Sequence, residues 1–112
     1  MSYHRARTIS YLRSLTAGFL ARQAKRGTLL TVTDFTLSRD GKRAAAYLSV
    51  WPEDSEAAVL RQTKSWYGPW RELVERQTNR RLAPRIDFVI DERAKATRRV
   101  DKLSAELKIN AV

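Results

Sequence analysis

The chain of 112 residues contains no cysteine, a single histidine, His4, and no apolar run long enough to cross a membrane. The missing cysteine excludes disulfide bonds and thiolate chemistry. Because cysteine and histidine supply most transition-metal ligands, we expect no metal site and an incidental or structural role for His4. The N-terminal residues lead into no apolar signal core, so we expect a cytoplasmic protein that does not enter a membrane.

Glycine and the acidic residues form no catalytic or phosphate-binding motif. The four glycines are Gly18, Gly27, Gly41 and Gly68, and their spacing matches no phosphate-binding loop. Asp87 and Asp91 would share one face of a strand about 13 Å apart, which is far for paired acid–base catalysis. Capping and salt bridging explain them better. We therefore expect no catalytic residue, no cofactor and no enzymatic activity.

Positive charge is what the chain has in excess. It carries 22 lysines and arginines against 12 acidic residues, which gives a net charge of +10 and an isoelectric point near 10.7. This balance favours a polyanionic partner, with nucleic acid ahead of an anionic membrane surface. The alternative is a solvated surface that is simply basic.

The clearest local pattern is a β-hairpin over residues 28–51. Alternation places Thr31, Thr33, Phe35 and Leu37 on one face of the first strand, with Leu30, Val32, Asp34 and Thr36 on the other. After a turn at Asp40-Gly41, the second strand alternates Ala44, Ala46, Leu48 and Val50 with Ala45, Tyr47, Ser49 and Trp51. An Asp-Gly turn between two such runs is a strong hairpin signal. An isolated hairpin is marginally stable, so helices must cover it.

Helical periodicity flanks the hairpin on both sides. A first helix is predicted from Tyr3 to Lys25, with Gly27 as its C-cap. Its apolar stripe is Ile9, Leu12, Leu15, Phe19 and Leu20. After Pro52, an acidic turn opens a second helix, which Gly68-Pro69 should kink before it ends near Leu82.

A third strand is predicted over residues 85–91, followed by a last helix that Asp91 caps. The stripe Ala96, Val100, Leu103 and Leu107 should pack that helix on the domain. The expected fold is a single α+β domain over residues 1–112, in the order α-β-β-α-kink-α-β-α. Its three-stranded sheet would carry the helices on one face.

Basic residues suggest several RNA contacts, each with a plainer alternative. Arg76, Arg80 and Arg81 end the kinked helix with Arg85 just beyond, where they would clamp phosphates or compensate the helix dipole. Arg5 and Arg7 belong to a first helix that is either a phosphate surface or simply basic. Lys42 and Arg43, with Arg39, form a hairpin tip that contacts RNA or is a solvated turn. The outer face of the last helix, with Arg98 and Arg99, would rest on phosphate or on solvent.

Aromatic residues surround the expected kink. Exposed, they would stack on unpaired bases; buried, they would wedge the kink against the sheet. We expect Trp70 in the core and leave Trp66 and Tyr67 open between the two roles. The full set of expected RNA contacts is Arg5, Arg7, Lys42, Arg43, Trp66, Tyr67, Gly68, Arg76, Arg80, Arg81, Arg85, Arg98 and Arg99.

Several segments together resemble one protein family. Residues 29–34 (LLTVTD), 37–40 (LSRD) and 44–50 (AAAYLSV) resemble the first two strands of bacterial ribosome-binding factor A. Residues 84–92 (PRIDFVIDE) are similar to its last strand, and residues 5–9 to the arginine-bearing start of its first helix. The similarity runs over roughly residues 3–107.

The resemblance implies a type II KH-like fold and a non-enzymatic assembly factor. Such a factor binds the immature small (30S) ribosomal subunit and 16S rRNA near the decoding region, late in maturation. The family has an Ala-x-Gly kink; here Gly68 matches the glycine, whereas Trp66 stands where a small residue is expected. We expect a monomer and leave open an assembly GTPase as a further partner. The rival hypothesis is a basic module that docks on a protein or anionic surface without selecting RNA.

Overall fold

The computed structural model describes residues 3–78 and 83–110. Its helices and strands follow the predicted order. They are α1 (Tyr3–Gln23), β1 (Leu29–Leu37), β2 (Arg43–Trp51), a 3₁₀ turn (Glu53–Ser55), α2 (Glu56–Thr63), α3 (Tyr67–Thr78), β3 (Arg85–Ile90) and α4 (Glu92–Asn110). No helix among these residues is both long and apolar enough to cross a membrane.

The three strands form one sheet in the order β1-β2-β3. β1 and β2 are antiparallel, and β2 and β3 are parallel. The hairpin turn contains Gly41 at φ 73°, a conformation that favours glycine because it has no Cβ. Asp40 Oδ1 closes the turn by accepting hydrogen bonds from Ser38 Oγ at 2.6 Å and Lys42 N at 3.0 Å. The predicted hairpin is therefore confirmed.

The strict alternation predicted for β1 is wrong at one point. The register shifts between Val32 and Asp34, which pair with Leu48 and Tyr47. Thr33 is the extra residue of this β-bulge, and its insertion moves the buried face from even to odd positions. Leu30 and Val32 are buried before the bulge, and Phe35 is buried after it. In β2 the predicted inner residues Ala44, Ala46, Leu48 and Val50 are all buried.

Helices α1, α2 and α3 supply the other half of the core, as predicted. Leu12, Phe19 and Leu20 of α1 are buried against the sheet. Trp70 is fully buried in α3, and its Nε1 donates to Thr16 Oγ1 at 3.0 Å. This bond satisfies the one polar group of the indole, so Trp70 sits in the core without an unpaired donor.

The break between α2 and α3 falls over residues 64–66, earlier than Gly68-Pro69. Gly68 and Pro69 instead lie in the first turn of α3, where the missing proline N–H breaks no helical hydrogen bond. The predicted end near Leu82 lies outside the described residues. α1 also ends earlier than predicted, at Gln23, and Gly27 (φ 85°) lies in the turn that leads to β1 rather than at a C-cap.

Helix α4 differs from its prediction. Asp91 caps it as expected, since Asp91 Oδ1 accepts from Arg93 N at 3.0 Å and from Ala94 N at 3.2 Å. The apolar stripe does not pack, however: Ala96, Val100 and Leu103 are exposed. Leu107 lies among residues whose side chains are not described. Polar contacts join α4 to the domain instead, with Lys95 bonded to Glu56 and Arg99 to Glu53.

Candidate nucleic-acid interface

Two basic residues meet where β2 and β3 begin. Arg43 and Arg85 are direct partners in the parallel register, and Arg85 N donates to Lys42 O at 2.8 Å. Neighbouring strands lie about 4.8 Å apart. Both arginine side chains are exposed at this end of the sheet. Like charges directly opposite each other lower the stability of a sheet, so this pairing suits an anionic ligand better than it suits folding.

Tyr67 organises the adjacent arginines. Its side chain is half-buried at the start of α3, and its ring centroid lies 5.4 Å from Arg85 Cζ and 6.0 Å from Arg71 Cζ. Both distances are within the range of cation–π attraction. The ring therefore positions guanidinium groups, which differs from the exposed stacking platform considered from the sequence. We call Lys42, Arg43, Arg71 and Arg85 the basic cluster: Arg71 and Arg85 lie beside Tyr67, and Lys42 and Arg43 adjoin Arg85 in the sheet.

Gly68 adds an open backbone next to the basic cluster. It is exposed, and a Cβ built at this position would meet no atom within 4 Å. It lies in the first turn of α3, where the helix dipole is positive, and it precedes Trp70, whose N–H already bonds to Trp66 O. The position therefore gives a phosphate close access to the start of the helix.

Two acidic residues near the basic cluster, Asp40 and Glu75, have partners, whereas Asp87 is exposed two positions after Arg85 on β3. The hydrogen bond from Ser38, and next the one from the Lys42 backbone N–H, lower the pKa of Asp40 below its ordinary value. Its carboxylate thereby stabilises the turn. Glu75 lies 3.6 Å from Arg71 and neutralises part of that charge. The exposed side chains of Lys42, Arg43 and Arg85 keep the surface positive.

Arg5 lies at the same end of the sheet but is bound to backbone. Its guanidinium donates to Ser38 O at 3.0 Å and also to Leu37 O. It fixes the start of α1 to the end of β1. Its predicted contact with RNA is therefore secondary to a structural role, because those donors already have partners.

Other predicted contacts lie on the helical layer. Arg7 lines an open groove of about 680 Å³ between α1 and the end of α3, where Tyr11 Oη donates to Gln77 O at 3.4 Å. Arg76 is exposed on α3 beside Glu72 and Glu75. Arg80 and Arg81 lie outside the described residues.

Among the predicted RNA contacts, Trp66 is the one that the structure most clearly contradicts. It is 4% exposed and makes edge-to-face contacts with Phe19 and Phe88, at centroid distances of 6.2 and 5.3 Å. A base cannot stack on a ring enclosed in this way, so the core alternative is correct. The bulky residue at the helix break is accommodated because it points inward.

Arg99 lies away from the basic cluster. Helix α4 starts where β3 ends, at the opposite end of that strand from Arg85. Arg99 Nη2 is 3.5 Å from Glu53 Oε2, which places it beside the turn after β2. The side chain of Arg98 is not described. The predicted sites therefore occupy at least two separate regions.

Sequence reasoning did not single out Arg71. Its signal is its position four residues after Tyr67, which places both side chains on one face of a helix. Among residues 3–78 and 83–110 there is also no group of three or more His, Asp or Glu side chains that could hold a metal ion. The candidate interface offers guanidinium and ammonium groups.

Comparison with known proteins identifies relatives over most of the chain. The family model of ribosome-binding factor A matches residues 5–104. The ribosome-binding factor A of Thermobifida fusca (strain YX) is 36% identical over 100 residues, which cover 87% of this chain and 66% of that protein. The chain thus spans slightly less than two thirds of this relative's length.

Two structures of ribosome-binding factor A share this fold. The crystal structure of ribosome-binding factor A from Thermus thermophilus aligns with a TM-score of 0.65 and 24% identity, over 76% of this chain and 92% of that one. A Thermus thermophilus homology model, fitted into an electron cryomicroscopy map of a 30S complex, aligns with a TM-score of 0.63 and 24% identity. It covers 72% of this chain and 88% of that chain. The expected KH-like α+β fold is confirmed.

Proposed function

The chain belongs to the ribosome-binding factor A family, and from this premise we propose that it binds the immature small ribosomal subunit through 16S rRNA and assists its late maturation. The match to a protein fitted into a 30S complex supports the choice of the small subunit. The protein acts in the cytoplasm, as a monomer and without making or breaking a covalent bond.

The observation that carries this proposal is the basic cluster. Arg43 and Arg85 are brought together on adjacent strands, although their mutual repulsion opposes sheet pairing. Tyr67 holds Arg85 and Arg71 in place, and the first turn of α3 lies alongside. Arginine binds phosphate oxygens in a bidentate manner, so a phosphate backbone would relieve the repulsion and gain directional hydrogen bonds.

Binding of this kind would act on rRNA by selecting a conformation. A factor that binds one rRNA conformer better than its competitors shifts the population toward that conformer. Phosphate contacts alone give little sequence preference, so the shape of the folded rRNA must supply the selectivity. We propose separately that an assembly GTPase releases the protein, and only the family membership supports this step.

Co-sedimentation with ribosomal particles tests the proposal. We expect the protein to migrate with small subunits that contain precursor 16S rRNA, and not with complete ribosomes or tRNA. The double substitution Arg43→Ala/Arg85→Ala should weaken this binding about tenfold or more, since hydrogen bonds to charged groups are the strong ones. The matched control is Arg61→Ala/Lys64→Ala, which removes two exposed charges from the α2 region.

Two results would contradict the proposal. Equal loss of binding in both double variants would mean that net charge alone matters. Equal binding to small subunits, tRNA and heparin would favour the basic module without RNA selectivity.

A further inference from the structure

The sheet has a second exposed feature at the end away from the basic cluster. Helices cover one face of the sheet, and the outward residues at the start of β1 and the end of β2 are open. There Leu29 and Trp51 are direct cross-strand partners, 62% and 61% exposed. Two large apolar side chains thus lie together on the open face.

Trp51 differs from the other tryptophans of the chain. Trp66 and Trp70 are 4% and 0% exposed and belong to the core. Trp51 places most of its indole in water, where it adds little to folding because the apolar area is not buried. An exposed tryptophan of this size on a small domain is informative, since large exposed apolar groups commonly mark binding sites.

The surroundings of Trp51 are polar and charged, with basic residues before β1 and with Glu53, which is paired with Arg99, and the exposed Asp54 after Pro52. On the same face, Thr31 is exposed and Ser49 half-buried, and these two are the next cross-strand pair after Leu29 and Trp51. Lys25 and Arg26 lie in the turn that immediately precedes β1, and both are exposed there. The site therefore combines an aromatic plane, hydroxyl groups and two cations.

We propose that Trp51 and Leu29 form a base-stacking site for single-stranded RNA, with Lys25 and Arg26 contacting the adjoining phosphates. Aromatic side chains beside positive charge are the usual elements of single-strand binding, because every base offers a π-face. This inference rests on RNA being the ligand, as proposed above, and adds a contact remote from the basic cluster.

Charge selects RNA over a second copy of the chain as the occupant. Two copies would each bring a net charge of +10, which opposes their association. A stable protein interface also needs about 800 Å² from each partner. Leu29 and Trp51 are bordered by hydroxyls and cations. Their combined apolar surface matches the area of one base more closely than the area of a protein interface.

Intrinsic fluorescence can test the site directly, because Trp51 is exposed and the other two tryptophans are buried. A ten-nucleotide oligouridylate should quench the emission of Trp51. The dissociation constant obtained from this quenching should equal the one that fluorescence anisotropy gives for binding. Inorganic polyphosphate should bind without this quenching, since it has phosphates and no bases.

Three substitutions make the test specific. Trp51→Ala should weaken oligouridylate binding roughly 5- to 150-fold, the range found when stacking aromatics are truncated. Trp51→Phe should retain most of the affinity while abolishing the quenching. Leu60→Ala removes another exposed apolar side chain, on the helical layer, and should change neither measurement.

The outcomes separate this inference from the proposed function. RNA binding without quenching, or equal affinities of Trp51→Ala and wild type, would overturn the stacking site and leave the proposed function intact. A concentration-dependent dimer in sedimentation that Trp51→Ala abolishes would also overturn it, in favour of a second copy. Failure of the wild type to bind any RNA or small subunit would instead remove the proposed function.

Discussion

Asp91 shows how one residue joins two parts of the fold. It is buried, its Oδ2 accepts from Thr33 Oγ1 at 2.6 Å, and its Oδ1 accepts the two backbone N–H groups that open α4. The Thr33 hydrogen bond, followed by the Ala94 N–H, lowers the pKa of Asp91 below its ordinary value of 3.8. Asp91 thus links the β1 bulge to the start of the last helix.

We expect Asp91→Ala to lower the free energy of unfolding by about 1–2 kcal/mol at pH 7, the usual loss for an N-cap. Because the folded pKa is depressed, the stabilisation by the carboxylate is present above pH 3.8 and is lost as pH falls through the folded pKa. Urea unfolding at pH 7 and pH 3 checks this: the difference from wild type should shrink at pH 3. Asp91→Asn should fall between the two proteins at pH 7. An equal difference at both pH values would mean that the charge is unimportant.

The cap could be predicted from the sequence, whereas the position of Trp66 could not. An aspartate before a helical run is a local signal, because the cap bonds only to the next few residues. Trp66 lies in the break between α2 and α3, where helical periodicity is interrupted and assigns no face. Its burial depends on Phe19 and Phe88, which are distant in sequence.

At the scale of elements, the hairpin was predictable, and the sequence also contained a signal for the bulge in β1. Apolar residues of β1 occupy even positions at Leu30 and Val32, then odd positions at Phe35 and Leu37. That change of phase is the sequence signal of an inserted residue, and strict alternation over the whole strand overlooked it. For α4 the stripe at steps of four and three correctly predicted a helix but not packing, since periodicity does not say what lies opposite.

Helix α4 should therefore depend on its polar contacts rather than on its stripe. Lys95 Nζ lies 3.0 Å from Glu56 Oε1, both side chains are largely buried, and Glu56 Oε2 is buried without a partner. Lys95→Ala would leave the Glu56 carboxylate unpaired, so it should destabilise the protein more than Arg99→Ala, whose 3.5 Å contact with Glu53 is more exposed.

Urea midpoints of the two variants measure the difference. The double variant Glu56→Ala/Lys95→Ala should recover part of the stability lost in Lys95→Ala, because it removes the unpaired charge. Equal midpoints for Lys95→Ala and Arg99→Ala would show that burial of the Glu56 pair is unimportant.

At the scale of the whole molecule, the order of elements and the excess of charge were available from the sequence. The convergence of Lys42, Arg85 and Tyr67 was not, because it depends on the parallel register of β2 and β3 and on where α3 begins. The separation of Trp51 from the basic cluster was also not available, because it too depends on how the strands are placed in the sheet. A list of basic residues therefore predicted a polyanionic partner without dividing the surface into two sites.

Salt dependence distinguishes those two sites. Each phosphate contact to single-stranded RNA contributes about −0.7 to the slope of log affinity against log salt. If Arg43 and Arg85 each contact one phosphate, Arg43→Ala/Arg85→Ala should make the slope shallower by about 1.4, while Arg61→Ala/Lys64→Ala leaves it unchanged. Trp51→Ala should lower the affinity at every salt concentration with little change in the slope, because stacking releases no counterions and Lys25 and Arg26 remain to contact the phosphates. Anisotropy titrations of oligouridylate between about 50 and 300 mM KCl, a range over which the Debye length falls roughly by half, provide the measurement. A slope for Trp51→Ala as shallow as that of Arg43→Ala/Arg85→Ala would mean that the affinity lost at Trp51 is electrostatic and does not come from stacking, and an unchanged slope for Arg43→Ala/Arg85→Ala would remove the basic cluster from the RNA interface.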